Sequence, residues 1–127
     1  SGLLGISERS SDVRDLLKEE RNDPKAADAV TLFCYQAKKT IAALAAALGG
    51  LDTLVFSAGI GEHSPVIRAR ICEGLEFLGI GIDHLRNEKG EAVISKEGGR
   101  VTVRVIHTDE EREIAESVME LLSTHEG

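Results

Sequence analysis

The chain has 127 residues, a formal net charge of −7 at pH 7, 42% hydrophobic residues and 29% charged residues. This length and composition predict one globular domain with a modest core and exclude a disordered chain. The negative charge, without clustered Lys and Arg, argues against nucleic-acid binding, and no apolar run is long enough to predict a membrane-spanning helix.

The chain is predicted to begin with a loop and a short helix. Residues 1–10 are rich in Gly and Ser and favour a loop, and the absence of an initial Met indicates a piece of a longer polypeptide. Ser11 is a suitable N-cap for the helix that follows. Asp12 and Asp15 lie in its first turn, where negative charge is favourable, and residues 22–24 stop it.

A long second helix is predicted to follow. Asp23 and Pro24 begin it as a cap and a first helical residue, and Gly49 and Gly50 end it. Its apolar stripe recurs at steps of three and four and consists of Ala26, Val30, Phe33, Ala37, Ile41, Leu44 and Leu48. So many alanines indicate close packing, either in the core of the domain or at a dimer seam.

A glycine turn joins a predicted strand to a third helix. Residues 54–56 form a short apolar run typical of a buried strand, and Ser64 with Pro65 begins the helix. The turn between them contains Gly59 and Gly61. Bare backbone beside a helix N-terminus suits a phosphate or a nucleotide, but a plain strand–turn–helix connection explains the same pattern.

The remainder of the chain is predicted to alternate between short elements. Residues 74–79 close the third helix, 80–82 are extended and 87–90 form a turn. Residues 92–94 and 101–106 are predicted strands. Alternating strands and helices indicate the α/β class. The sheet is thin for so much helix, so either some strands are missed or this is part of a larger domain.

A capping box opens the last predicted helix. Thr108 is its cap and Glu111 the residue that folds back to it. Glu110 is therefore left free in the first turn, where it could hold Mg²⁺ or could simply offset the helix dipole. Residues 59–64 and 108–111 both lie where a strand gives way to a helix, which favours a nucleotide at this edge of the sheet.

Other kinds of site are disfavoured. The glycine turn matches neither a P-loop nor the dinucleotide fingerprint. Cys34 and Cys72 lie in apolar helical patterns and are predicted to be buried thiols, as expected in a reducing cytoplasm. The histidines lack the spacing of zinc ligands; they are His63, His84, His107 and His125.

Taken together, several motifs resemble the acetate kinase (acetokinase) family. The likeness runs to about Leu122 in the order and spacing of the family, and it matches the last third of a chain of about 400 residues. The motifs that carry it are Ser-Gly-Leu-Leu-Gly-Ile-Ser at 1–7, Ser-Ser-Asp-Val-Arg-Asp at 10–15, Phe-Ser-Ala-Gly-Ile-Gly-Glu-His at 56–63, Arg-Ile-Cys-Glu-Gly-Leu-Glu-Phe-Leu-Gly at 70–79 and Thr-Asp-Glu-Glu at 108–111.

The resemblance implies a fold, a reaction and partners. The fold is the second, C-terminal ribonuclease-H-like domain of the sugar kinase/Hsp70/actin type, here partial, with helices packed on a short mixed sheet. Residues 1–127 would supply part of this nucleotide-binding domain, without the N-terminal domain. The reaction is reversible, Mg²⁺-dependent phosphoryl transfer from ATP to acetate, which gives acetyl phosphate and ADP. A cytoplasmic homodimer, with no nucleic acid or membrane partner, is expected.

The resemblance also implies site residues. Glu110 would bind Mg²⁺, and the adenosine and phosphates of ATP would be contacted by Asp12, Val13, Arg14, Gly59, Ile60, Gly61, Glu62 and His63. Two positions depart from the family pattern: His63 stands where Asn is expected, and Val13 where an aromatic residue is common. Both departures leave the nucleotide preference open.

The catalytic groups of the family belong to a part that precedes this chain. The chain is therefore expected to contain no catalytic residue and to be inactive alone. Two alternatives remain. One is a propionate or butyrate kinase, because acyl-chain length would be selected outside this chain. The other is a non-catalytic dimerisation module built on the alanine-rich helix.

Overall fold

The computed structural model describes the backbone of residues 10–108 and the side chains of residues 13–108. Most of the predicted N-terminal loop and the last predicted helix, with Glu110 and Glu111, lie outside the described residues. The elements are α1 (Ser10–Glu19), α2 (Pro24–Leu48), β1 (Thr53–Ser57), α3 (Gly59–His63), α4 (Pro65–Cys72), a 3-10 turn (Glu76–Leu78), α5 (His84–Lys89) and β2 (Thr102–Ile106).

Helix α2 has the predicted ends. The Asp23 carboxylate accepts a hydrogen bond from the Lys25 amide at 3.0 Å, and Pro24 is the first helical residue. Gly49 ends the helix with φ +75°, in the left-handed region that glycine adopts without strain. The prediction of both caps is confirmed.

The buried face of α2 differs from the predicted stripe in its last two turns. Leu44 is 49% exposed and Leu48 72% exposed, because the helix turns Ala45 toward the core instead. A helix has 3.6 residues per turn, so positions taken at steps of three and four shift gradually around its surface. In the last two turns this shift brings a small residue, Ala45, to the inward face. The buried residues of α2 are Ala26, Val30, Cys34, Ala37, Ile41 and Ala45.

Strands β1 and β2 form a parallel two-stranded sheet, with Thr53 opposite Thr102 and Ser57 opposite Ile106. The connection between them contains α3, α4 and α5, which is the long crossover that a parallel pair requires. An isolated antiparallel bridge joins Val93 to Arg104 on β2. The α/β class is confirmed. The predicted strand over 92–94 is reduced to this bridge.

Two predicted turns are short helices. The glycine turn is the single-turn helix α3, and residues 87–89 of the second turn belong to α5. The Asp83 carboxylate caps α5 by accepting from the Arg86 amide at 3.0 Å, and Gly90 ends it with φ +61°. The polar sequence of α5 has little apolar periodicity, so the sequence carried no helical pattern there.

The core lies between α2, the sheet and α4. Its most buried members include Val30, Ile67, Ile94 and Val103, each with no exposed surface. Cys34 and Cys72 are buried free thiols, as predicted. Among residues 10–108, no helix is long and apolar enough to cross a membrane.

Candidate functional site

The connection from β1 into α3 is strained. Ala58 has φ 59° and ψ 151°, a backbone conformation that only glycine adopts readily. Gly59 follows with φ +53°. The chain therefore turns sharply at the end of the strand. The second residue of the turn, Gly59, has a conformation that requires glycine, whereas the first, Ala58, is held in a conformation that is unfavourable for alanine.

Helix α3 packs tightly on the strand that precedes it. A Cβ atom on Gly61 would lie 3.4 Å from Cδ1 of Phe56, which is tighter than most such contacts. Ile60 is only 2% exposed, so its side chain belongs to the core. Of the predicted nucleotide residues in α3, Gly61 and Ile60 can therefore offer a ligand their backbone only.

The structure brings the two predicted nucleotide segments together. Helix α1, which carries residues 12–14, packs against α3, which carries residues 59–63. Val13 is 4% exposed and belongs to the core, whereas Arg14 and His63 are exposed. The side chain of Asp12 lies outside the described ones.

Glu62 is buried and bound to a residue far along the chain. Its Oε1 atom accepts from the Thr108 amide at 3.0 Å and from the Thr108 hydroxyl at 2.5 Å. Its Oε2 atom lies 3.4 Å from Nδ1 of His107 and 3.6 Å from Nε2 of His63. Both carboxylate oxygens therefore face groups of this chain.

These contacts favour the ionised form of Glu62. Burial alone raises the pKa of its carboxyl group, but the hydrogen bonds from Thr108, the charge of His63 and the bond with His107 outweigh burial. The pKa of Glu62 is lowered as a result. A carboxylate that accepts several hydrogen bonds remains ionised at neutral pH.

Arg68 is a charged residue inside the core, with only 1% of its surface exposed, and it supports α3. Its Nη1 atom donates to the carbonyls of Gly61 and Glu62 at 3.0 and 2.7 Å. Its Nε and Nη2 atoms donate to Asn87. This role was not predicted from the sequence. Arg68 and Cys72 are four residues apart, about one helical turn, and this spacing could have indicated that both lie on the buried face of α4.

No metal site is complete within the part of the chain that the structure describes. No group of three or more His, Cys, Asp or Glu residues there could hold a metal ion. Glu110, the predicted Mg²⁺ ligand, lies beyond the described residues. Mg²⁺ needs only one or two protein carboxylates when phosphates supply other ligands, so a single glutamate is a chemically suitable donor.

Comparisons with known proteins give one consistent result. The Acetokinase family model matches residues 1–116. The chain is 50% identical over 123 residues to the acetate kinase of Rhizobium meliloti and 51% identical over 117 residues to that of Brachyspira hyodysenteriae. These alignments cover 97% and 91% of this chain but only 31% and 30% of the relatives. The chain thus spans about a third of the length of these relatives.

Solved structures agree. The crystal structure of Porphyromonas gingivalis acetate kinase has a TM-score of 0.75 at 43% identity, over 96% of this chain and 32% of that one. A propionate kinase from Francisella tularensis has a TM-score of 0.67 at 35% identity, over 87% of this chain and 29% of that one. With most of its residues matched by the family and its fold shared with these structures, the chain belongs to the acetokinase family.

Proposed function

We propose that the chain is part of the nucleotide-binding, C-terminal domain of an acetate kinase of the sugar kinase/Hsp70/actin type. That enzyme would transfer a phosphoryl group reversibly from ATP to acetate, with Mg²⁺, giving acetyl phosphate and ADP. The observation that supports this most is the packing of α1 against α3. These helices carry residues 12–14 and 59–63, the two segments that the family resemblance assigns to ATP binding. Because the helices pack together, both segments could contact one ligand.

The described residues suit different parts of a nucleotide. Gly59 presents bare backbone, which allows close approach of a ligand, and Gly61, which is buried against Phe56, is proposed to contact it through the main chain. Val13 and Ile60 are core residues, so they would shape the site and contact the ligand through the main chain only. Arg14 and His63 are exposed, so their side chains are accessible to an adenosine. We assign them that role together with Asp12.

Glu110 is the proposed Mg²⁺ ligand. It would hold a Mg²⁺ ion, whose positive charge would offset the negative charge of the phosphates. Glu62 is a poor candidate for this role, because both of its oxygens face groups of the chain itself. It remains a member of the proposed nucleotide-binding segment.

The chain alone is proposed to be inactive. Phosphoryl transfer requires several groups that position the reactants and stabilise charge at once. We propose that this chain supplies nucleotide contacts only, and its relatives are about three times as long. The missing groups would lie in the N-terminal portion of the longer polypeptide of which we propose this chain to be a part (the full-length protein).

The test compares the full-length protein with the 127-residue chain. Acyl phosphate formed from ATP is trapped with hydroxylamine, using acetate, propionate and butyrate as substrates. We expect activity of the full-length protein, highest kcat/KM with acetate, and none from the 127-residue chain. No activity of the full-length protein with any of the three acids would refute the proposal.

Propionate is the second candidate substrate, since a propionate kinase shares this fold at 35% identity. A higher kcat/KM for propionate than for acetate would select it. We also propose that the full-length protein is a homodimer in the cytoplasm. Sedimentation of the full-length protein tests the first part of that proposal, and fractionation of cells tests the second.

A further inference from the structure

Helix α3 depends on groups outside itself for its shape. It is a single turn of five residues, Gly59–His63, and a helix this short is not stable by itself. No side chain caps its N-terminus, where Ala58 is strained. Carbonyl groups in the last turn of a helix lack partners within the helix, so they need donors from elsewhere. The residue that supplies those donors therefore fixes the main chain of α3.

Arg68 is the donor for two of these carbonyls. It lies in α4, and its side chain extends back to α3, where Nη1 donates to the Gly61 and Glu62 carbonyls at 3.0 and 2.7 Å. The positive charge of a guanidinium is also favourable at the C-terminal end of a helix dipole. One planar side-chain group thus holds two successive peptide groups of α3.

Asn87 fixes the guanidinium group in turn. Its side-chain oxygen and its carbonyl accept from Nε and Nη2 of Arg68, each at 2.7 Å. Its side-chain amide donates to the Pro65 carbonyl at 2.9 Å. Among the described residues, the four oxygens that accept from Arg68 are uncharged, so hydrogen bonds have to offset the cost of burying its charge. A shift of the guanidinium would break those bonds, so its position is well defined.

The main chain of α3 is the part that a nucleotide would contact. Ile60 and Gly61 are buried, so they can offer a ligand main-chain atoms only. A side chain can follow a small displacement by changing its rotamer, whereas a main-chain group cannot. We propose that Arg68 is a positioning residue for the nucleotide, which fixes the main chain of α3 without touching the ligand. This inference rests on the proposed function, in which α3 contacts ATP or ADP.

A merely structural role for Arg68 makes a different prediction. A variant that is only less stable binds nucleotide normally at any temperature at which it is folded. A variant in which α3 is displaced binds nucleotide more weakly even when it is fully folded. Its KM for acetate stays unchanged, because acetate is proposed to bind outside this chain.

The experiment measures the Kd for ADP by calorimetry of the full-length protein, at a temperature at which circular dichroism shows each variant to be folded. Arg68→Lys keeps the charge, but the three donors of an ammonium group cannot serve four oxygens. We expect its Kd for ADP to rise at least about tenfold, since a displacement of about 1 Å can cost about 100-fold.

Asn87→Ala tests the same network without changing Arg68. It removes the oxygen that accepts from Nε and leaves the other three acceptors in place. We expect a smaller rise in the Kd for ADP than in Arg68→Lys, again with no change in the KM for acetate. This variant carries the test if Arg68→Lys does not fold.

Two controls separate position from stability. Arg104→Lys makes the same chemical change at an exposed position of β2 and should leave the Kd for ADP unchanged. Ile80→Ala leaves a cavity in the core without removing any of the hydrogen bonds from Arg68 to α3. It should lower the Tm and leave the Kd for ADP of the folded protein unchanged.

Two results would overturn the inference. One is a Kd for ADP in Arg68→Lys and Asn87→Ala that equals the Kd in Ile80→Ala. The other is a rise in the KM for acetate as large as the rise in the Kd for ADP, which would indicate a general loss of structure. Failure of the proposed function is distinct, because it appears as an absence of acyl phosphate formation by the wild-type protein.

Discussion

Arg68 and Asn87 are bound to each other twice inside the core. The Nε atom of Arg68 donates to the side-chain oxygen of Asn87 at 2.7 Å, and its Nη2 atom donates to the Asn87 carbonyl at 2.7 Å. Both residues are buried, with 1% and 2% of their surface exposed. Asn87 in turn donates to the Pro65 carbonyl at 2.9 Å. This pair joins α5 to α4, and Arg68 extends the connection to α3.

Removing Arg68 is predicted to destabilise the fold. Arg68→Met keeps much of the volume but leaves the Gly61, Glu62 and Asn87 carbonyls without their buried donor. Buried polar groups without partners are costly, so the free energy of unfolding should fall by about 3 kcal/mol. Urea unfolding of the full-length protein measures it.

The matched control for this change is Arg104→Met, at an exposed position of β2. It should alter stability by less than about 0.5 kcal/mol. Arg68→Lys should fall between the two, because an ammonium group cannot reproduce the planar fork of the guanidinium. Equal stability of Arg68→Met and Arg104→Met would contradict the role assigned to this network.

Ala58 is predicted to limit stability through its backbone. Its conformation, φ 59° and ψ 151°, costs an alanine about 1–3 kcal/mol. Ala58→Gly removes that strain but makes the unfolded chain more flexible, which costs about 0.5–1 kcal/mol. The variant should therefore be about 1 kcal/mol more stable, and Ala58→Val less stable, in urea unfolding.

The control for Ala58 is a glycine substitution where no strain exists. Ala43 is an exposed helical residue of α2, five residues before the end of the helix, so Ala43→Gly should lose about 1 kcal/mol from poorer helix propensity. Opposite signs at the two positions would identify strain as the cause. A loss at both positions would show that Ala58 is not strained in solution.

Sequence alone predicted the features that depend on neighbouring residues. Asp23 with Pro24, and Ser64 with Pro65, begin helices as expected, and the Ser64 hydroxyl accepts from the Ile67 amide at 3.2 Å. Helix capping involves residues no more than three positions apart, so it can be predicted from the sequence. The motifs that carried the family resemblance are equally local, and the family is confirmed.

Contacts between distant residues could not be predicted in this way. The predicted helix cap at Thr108 involves residues outside the described ones, but Thr108 also donates its hydroxyl and amide to Glu62, 46 residues earlier, which was not predicted. Arg68 and Asn87 are 19 residues apart, and neither belongs to a motif. Residues this far apart in the sequence come into contact only when the crossover between β1 and β2 folds, so no local pattern indicates the contact. The site residues implied by the resemblance stay a prediction.

Acidification is predicted to weaken the contribution of Glu62. Its pKa is lowered in the folded protein, so the unfolded state binds the proton more readily. The stabilisation is therefore fully present above the ordinary glutamate pKa and is lost as pH falls through the lowered value. The difference in free energy of unfolding between wild type and Glu62→Gln should shrink from about pH 7 to about pH 3.5.

Urea unfolding of the full-length protein at several pH values measures that difference. Glu88→Gln should differ from wild type by an amount that changes little with pH, because Glu88 is exposed to solvent on α5. A gap between wild type and Glu62→Gln that widens on acidification would have the wrong sign and would reject the assignment of an ionised, hydrogen-bonded Glu62.

An apolar groove beside β1 is predicted to make the isolated 127-residue chain self-associate. The groove lies between the second half of α2 and β1, and it is lined by Leu44, Leu48, Leu51 and Val55 among others. Leu48 is 72% exposed and Leu44 49% exposed. Within residues 10–108, β1 pairs with β2 on one side and with no strand on the other. A free strand edge beside exposed leucines favours pairing with another copy.

Sedimentation of the isolated chain over a range of concentrations tests this. We expect dimers or larger species, and the double variant Leu44→Glu with Leu48→Glu should weaken association at least about tenfold by placing charge in the contact. Leu85→Glu, at an exposed leucine of α5, should leave association unchanged. A wild-type chain that stays monomeric at high concentration would reject both the groove as a contact and a dimerisation module built on this chain. Equal effects of the groove and α5 variants would place the contact elsewhere.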